Sequence, residues 1–465
     1  MTILEKDAVL DSLAEEWNIA QFVSYSPSLT QRFSRIKGLP RNFTFPSPQA
    51  AIGALLSKSP ERSVNIRTYS TATPRGSVFK MNLRSVDEIM KHLEMTSRKG
   101  LFSILNESID VNDGGVSGVS LGGTVEFAPG DTPRCVERED VTALPSEVAW
   151  SLFDRVYSLG IQDPFDPRQR VEFSVHPFRR GFRSEPIIVW QQETIGDCSI
   201  NTPIQWPHAF SRFVGDKVFG LLLADVYGYH VPWTQVIARN LPPFSFGKKT
   251  GASVPWIRTA PKVKVPGKFT THRGWKDPFE IVFQDELTSS NPGMISSVLI
   301  QDEVPAIYSG GSLTQVDQSV YIEAKRGFSD RLMLGEEGPD VSIRRNVRDL
   351  VEKTHLELMR LFGSVRVEWA YFDSKIWILQ LQQEEAISKN NIIVPGNPIV
   401  SHDFNVREGL ESLRLLVQSL KDTQEGINLV GDIGMTSHMA DILREYNIPS
   451  RRLASQRSLF DTDRE

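Results

Sequence analysis

Residues 365–383, VRVEWAYFDSKIWILQLQQ, constrain the fold more than any other stretch of the chain. Two runs rich in Val, Ile, Leu and Trp flank Asp373-Ser374, which reads as an antiparallel hairpin. VEWAY places Glu368 inside an otherwise apolar strand, and Gln380 sits in WILQLQ, again polar within an apolar run. An acid in such a strand is costly unless it meets a cation or a metal. The bland alternative, a surface-facing alternation, suits either residue alone better than both together. An acid and an amide on paired strands fit ligation of magnesium and phosphate.

The chain ahead of this hairpin offers complementary parts. Residues 211–228 are helical in pattern, and FVGDK supplies Lys217 beside Gly215. Residues 241–275 are rich in Pro, Gly, Lys and Arg, with Arg258, Lys262, Lys264, Lys268 and Arg273 among glycines and hydroxyls. A loop this cationic repels itself unless an anion fills it; the competing view is a solvated basic loop. SSVLIQDEV, GSLTQV and SVYIEA read as strands, and YIEAKRGF puts Glu323 and Lys325 two apart, on one strand face. Residues 342–362 form a helix by apolar spacing.

The first 200 residues have a similar texture: helices over 7–21 and 85–93, the latter with Ser85 and Glu88 as a capping box, and strands at VNIRTY, GGVSGVS, VEFSV and PIIVW. The order of parts repeats. NIRTYSTATP parallels WIRTAPKVKVP, GGVSGVS parallels YSGGSLT, and VEFSV with PIIVWQQ parallels VEWAY with KIWILQL. An approximate internal duplication is expected, with the second copy better preserved. Arg67, Ser117, Gly118, Glu172 and Gln191 hold the matching places in the first copy, and no counterpart of the lysine motif is evident. The fold class is therefore α+β, in three parts: residues 1–200, 201–387 and a small helical segment 388–465.

Composition bounds the function. A net charge of −5 with mixed signs lacks the basic excess of a nucleic-acid binder. The two cysteines, Cys135 and Cys198, form no CxxC pair, so no zinc site or disulfide framework is indicated. No apolar run approaches the ~20 residues needed to span a membrane, and a cytoplasmic location is expected.

The ordered set FVGDK, IRTAP, VLIQDEVPAIYSG, YIEAKRGF and VEWAYFDSKIWILQ resembles the ATP-grasp domain of phosphoenolpyruvate synthase and pyruvate phosphate dikinase. The resemblance implies ATP and Mg2+ as cofactors. By position, Lys217 and Arg258 would bind phosphates, Gln301, Glu303 and Val304 would line an adenine slot, and Glu323 would meet the ribose or phosphates. Lys268, Arg273 and Lys325 would add cationic contacts, and Glu368 and Gln380 would serve magnesium. Three departures stand out: Arg366 where the family has an acid, Gln382 where it has arginine, and Gly215-Asp216-Lys217 for its glycine-glycine-lysine.

GDIGMTSHMADILREYNIPS reads as a glycine turn and a helix capped by Thr436 or Ser437, with His438 in the first turn, where a phosphorylated imidazole is stabilised. It is similar to the phosphohistidine motif of the same dikinases, although the segment after Pro449 is short and polar. The resemblance implies an ATP-dependent phosphotransferase acting on a small molecule or on His438, with Lys217 and Arg258 assisting. The alternatives are an ATP-grasp carboxylate-amine ligase, and a nucleotide-sensing scaffold favoured by the Arg366 and Gln382 departures. Expected partners are ATP and a small-molecule acceptor, with a homo-oligomer allowed.

Overall fold

The computed structural model describes residues 5–70, 79–132, 140–200, 202–263, 269, 271–287, 293–340, 342–388 and 391–453. Lys264, Lys268 and Cys135 lie outside them. The fold is α+β, and the chain forms two units: Met1–Thr202 with Asn240–Pro242, and Pro203–Arg239 with Pro243–Glu465.

The first unit opens with α1 (Lys6–Glu16), β1 (Phe22–Tyr25), β2 (Gln31–Arg35), α2 (Pro48–Lys58), β3 (Val64–Tyr69), β4 (Phe79–Leu83), α3 (Val86–Arg98) and β5 (Phe102–Glu107). These strands form a sheet of order β2-β1-β5-β3-β4. Then come β6 (Val116–Leu121), β7 (Thr124–Pro129), β8 (Thr142–Pro145), α4 (Ser146–Tyr157), β9 (Gln169–Arg180) and β10 (Glu185–Thr194), in a sheet of order β10-β9-β6-β7-β8. Trp150 of α4 is fully buried and meets Phe153, Phe165 and Phe173 at ring-centroid distances of 5.2–5.4 Å. These rings pin the helix to the sheet. Ser85 stands at the N-cap of α3 but makes no side-chain cap bond; Asp87 and Glu88 in the first turn complement the helix end instead.

The second unit repeats this plan with α5 (Ala209–Val214), α6 (Asp216–Val226), β11 (Thr234–Ala238), β12 (Phe244–Phe246), β13 (Pro255–Pro261), β14 (Thr271–Arg273), α7 (Pro278–Leu287) and β15 (Ile295–Asp302). The single helix expected over 211–228 is two, because Gly215 between them takes a φ of +97° that an α-helix cannot hold. Next are β16 (Tyr308–Thr314), β17 (Val320–Arg326), α8 (Asp330–Leu334), α9 (Arg345–Phe362), β18 (Val365–Phe372) and β19 (Lys375–Gln383). The sheets run β12-β11-β15-β13-β14 and β17-β16-β18-β19. The first matches β2-β1-β5-β3-β4 strand for strand, and the second matches β7-β6-β9-β10.

Register carries the repeat to single residues. Arg67 lies opposite Ile104 as Arg258 lies opposite Leu299, and Glu172 faces Gln191 as Glu368 faces Gln380. Both hairpins bulge at the same place, after Val189 on β10 and after Ile378 on β19. A Cβ on Gly118 would fall 2.2 Å from the Glu126 carbonyl oxygen, and one on Gly310 would fall 2.0 Å from that of Glu323. Chance similarity of Val-rich hairpins would not reproduce strand order, register, bulge and close approach together.

The C-terminal segment differs from the helical piece expected. It comprises β20 (Ile392–Val394), β21 (Val400–Asn405), α10 (Gly409–Leu420), β22 (Glu425–Val430), α11 (His438–Glu445) and β23 (Ser450–Leu453). The strands form a sheet of order β20-β23-β22-β21, with β22 parallel to both β21 and β23. Parallel strands need a crossover, and α10 and α11 supply it. Strands this short, with polar residues between the apolar ones, are masked in sequence by the stronger helical periodicity around them. Among the described residues, no helix is long and apolar enough to cross a membrane.

Candidate functional site

The sheet β17-β16-β18-β19 is the platform of the site. Its hairpin turns at Asp373 and Ser374, both in the left-handed region at φ 50° and 59°, which matches the right-handed twist of the flanking strands. The bulge beside Glu368 breaks the alternation of β19, so Leu379 and Gln380 both line one cavity, together with Glu368 and Ala370 of β18. That cavity has a volume of about 210 Å³.

Cations reach it from two other elements. Lys217 is the second residue of α6, which lies directly on the hairpin: a Cβ on Gly220 would fall 1.9 Å from the Leu381 carbonyl oxygen. Gly215 lets the chain turn into α6 against β13, where a Cβ would meet that of Ala260 at 2.6 Å. Arg258 comes from β13, and its guanidinium stands 3.9 Å from the Glu368 carboxylate. Among the described residues the buried Nε of Arg258 has no hydrogen-bond acceptor. An orphaned cationic donor on a cavity wall fits an anionic ligand atom. Val304, Ala306, Met333 and Leu379 add apolar lining, and Gln301 lines the cavity too.

His438 closes the cavity. It is the first residue of α11, with Ser437 as N-cap, its hydroxyl accepting from the Ala440 amide. The loop before α11 is clamped to the sheet. Glu323 accepts from the amides of Met435 (2.7 Å) and Thr436 (2.9 Å), from the Thr436 hydroxyl (2.7 Å) and from Tyr321 (2.8 Å). Gly311 gives Thr436 room; a Cβ there would approach it to 2.8 Å. Arg366, buried on β18, donates to the Asp441 carboxylate and to the Thr436 carbonyl. Asp441 also stands 3.4 Å from Nδ1 of His438.

Burial by itself would push the Glu368 carboxyl up, but Arg366, Arg258, His438 and Lys217 around it outweigh burial and hold it below its usual range. Glu368 is thus an ionised acid inside a cationic ring. No group of three or more His, Cys, Asp or Glu is arranged for a metal ion among the described residues. One carboxylate and one amide fit Mg2+ that arrives with phosphate oxygens, because that ion keeps water and phosphate ligands and needs few from protein.

Of the residues singled out in sequence, Lys217, Arg258, Gln301, Val304, Glu368, Gln380 and His438 line this cavity. The others do not. Glu323 spends its oxygens on the loop before α11 rather than on a ligand. Lys325 pairs with Glu337 and Asp340, both at 3.3 Å, and Arg273 with Glu303 at 2.6 Å. Long-range pairing of this kind leaves no mark on local sequence. Trp256 and Phe328, with ring centroids 6.3 Å apart, line the cavity and were missed; they look like ordinary core aromatics in sequence.

No family model and no curated protein matches the chain. Among solved structures it is similar to D-alanine–D-alanine ligase from Helicobacter pylori, at 12% identity over 37% of this chain and 52% of that one, with a TM-score of 0.25. The ATP complex of the Bacillus anthracis ligase is similar at 8% identity over 36% and 54%, TM-score 0.25. A RimK domain ATP-grasp protein from Sphaerobacter thermophilus is similar at 12% identity over 37% and 58%, TM-score 0.24. The chain spans about half the length of the two ligases. None of these three is a phosphoenolpyruvate synthase or dikinase, the group expected from the sequence.

Proposed function

We propose that the second unit binds ATP with Mg2+ in the cavity between β13, α6 and the β18–β19 hairpin, and passes a phosphoryl group to His438. The observation that carries this reading is the meeting of Lys217, Arg258, Glu368, Gln380 and His438 on one cavity. Lys217 and Arg258 neutralise the polyphosphate, and Arg258 Nε gains its missing acceptor there. Glu368 and Gln380 would hold Mg2+ through oxygen, and the ion's contribution is to offset phosphate charge.

Asp441 holds Nδ1 of His438, which leaves Nε2 as the nucleophile. Nε2 attacks phosphorus, a P–N bond forms, and the bond from phosphorus to the bridging oxygen breaks with its electron pair leaving on ADP. The N-terminus of α11 stabilises the phosphoimidazole. A small-molecule acceptor then takes the phosphoryl group through its own oxygen, regenerating the imidazole.

The experiment is incubation with γ- and β-labelled ATP and Mg2+, followed by acid and base treatment. Acid-labile, base-stable label that disappears in His438→Asn supports the reading. Turnover to ADP with no label on protein and a new amide in an acceptor screen moves the assignment to a ligase. Tight ATP binding with neither product identifies a sensor, a reading favoured by Arg366 standing 3.8 Å from Glu368 where it competes with a metal.

A further inference from the structure

The first unit holds a larger cavity of about 1390 Å³, and its wall repeats the wall of the second unit's cavity position by position. Arg67 stands where Arg258 does, Asn106 where Gln301 does, Ser117 where Ser309 does, Glu172 where Glu368 does and Gln191 where Gln380 does. All of them line their cavities.

The lysine missing from sequence comparison is present in space. Lys6 opens α1 and lines the first cavity, as Lys217 in the first turn of α6 lines the second. The two helices are equivalent: each precedes the first strand of its unit, and α1 packs on β10 as α6 packs on β19. Only the glycine motif around the lysine has diverged, so alignment by residue type fails where position succeeds.

An arginine, a lysine and a strand acid stand around this opening, as they do around the cavity of the second unit. Of these, Glu172 is buried and pairs with Arg170 at 2.9 Å, Arg67 is half-buried and Lys6 is exposed, so the charges ring the opening. Here five of the six pairs keep a cation, an acid, a hydroxyl or an amide of the same kind, and the sixth exchanges one amide for another, Asn106 for Gln301. Trp190 replaces Leu379 in the bulge and puts an indole on the cavity, a wider platform for a flat base.

One feature of the second unit is not repeated. The cavity-lining histidine of the first unit, His176, has both ring nitrogens engaged, Nδ1 with Asp113 at 2.9 Å and Nε2 with Ser174 at 2.8 Å. It lies buried on β9, not at a helix start. No ring nitrogen there is left to attack phosphorus.

We infer that the first unit is a second nucleoside-polyphosphate site, which binds without transferring phosphate. The ligand class rests on the reading of the second unit's cavity. The chain then carries two nucleotides, one reacting at His438 and one held by Lys6, Arg67, Glu172 and Gln191.

The test is stoichiometry with the β,γ-imido analogue of ATP and Mg2+ on the full chain, by calorimetry. Wild type should bind two equivalents. Arg67→Gln and, separately, the exposed Lys6→Ala should each remove or weaken at least tenfold one of them, and Arg258→Gln should do so to the other. Photolabelling of wild type with 8-azido-ATP should mark a peptide from β9–β10 as well as one from the second unit, a readout independent of whether a variant folds. A single equivalent in wild type that is lost in Arg258→Gln but kept in Arg67→Gln, with no label on the first unit, overturns the inference and leaves the proposed function standing. One equivalent lost in Arg67→Gln but kept in Arg258→Gln upholds the inference and overturns the reading of the second cavity.

Discussion

Arg366 on β18 and Asp441 on α11 form an ion pair with both side chains 2% exposed, and this pair joins the strand that carries Glu368 to the helix that begins with His438. Arg366 thus serves as a fastener between sheet and helix. Its guanidinium also takes the Thr436 carbonyl, so strand, loop and helix are fixed together.

Breaking that fastener from one side leaves a buried charge without compensation, which costs on the order of 3–5 kcal/mol. Asp441→Asn and Arg366→Met should each lower stability by that order in urea unfolding. Both should also cut His438 labelling by more than the stability loss explains under folded conditions. The double change to Arg366→Met with Asp441→Leu should recover stability without recovering labelling. Full labelling in either single variant would sink the positioning role.

Arg258→Gln removes a charged donor from the proposed phosphate site. A hydrogen bond to a charged group contributes roughly 1.5–3 kcal/mol, so ATP affinity should fall about 10–100-fold with little change in Tm. Glu368→Gln should raise the Mg2+ concentration needed for half-maximal binding while leaving metal-free nucleotide binding in place. Calorimetric titrations across Mg2+ concentrations separate the two effects.

Gly220→Ala tests the seat of α6. Helix propensity alone would make the change favourable by about 1 kcal/mol. The close approach predicts the opposite, because the new Cβ would sit 1.9 Å from a backbone oxygen of β19 that cannot swing away. A net loss of roughly 1–3 kcal/mol is expected, together with weaker ATP binding through displaced Lys217. A raised Tm would show that the helix sits elsewhere.

Two buried groups give the units opposite pH dependence. His355 lies between the Ser312 and Thr314 hydroxyls, and burial pulls its pKa down to about 4. The unfolded imidazole protonates first as pH falls, so stability present above about 6.5 is lost progressively toward 4, by on the order of 3 kcal/mol. Glu107 accepts from the Gln21 amide and side chain, and burial raises its carboxyl to about 7. The unfolded carboxyl ionises first as pH rises, so stability is lost between about 4.5 and 7. Glu107→Gln should therefore gain stability over wild type as pH moves from 5 to 8, and His355→Gln should gain it as pH moves from 8 to 5. Unfolding free energies at these two pH values decide both.

Much of the fold was legible because its signals are local. The hairpin around Asp373-Ser374 announces itself by apolar runs and a turn pair, and the duplication by the repeated order of IRT, glycine-serine and paired-strand segments. Glu368 and Gln380 stood out because a polar group in an apolar strand is expensive enough to need a reason. Glu323 was marked by its place on one strand face with Lys325, yet its reason is the Met435-Thr436 loop more than a hundred residues away. Arg366 read as a loss of function for want of Asp441 beside it.

Ahead of the C-terminal segment, the amino-acid order by itself determined many of the element types, the paired strands and the repeat, since hydrophobic period and turn chemistry act over a few neighbouring residues. Which cations, acids and histidine share a cavity was decided only by tertiary structure. Lys6 takes the place of Lys217, His438 closes on Arg258 and Glu368, and Arg273 turns away to Glu303, because side-chain partners are selected by packing across the chain, where sequence distance has no meaning.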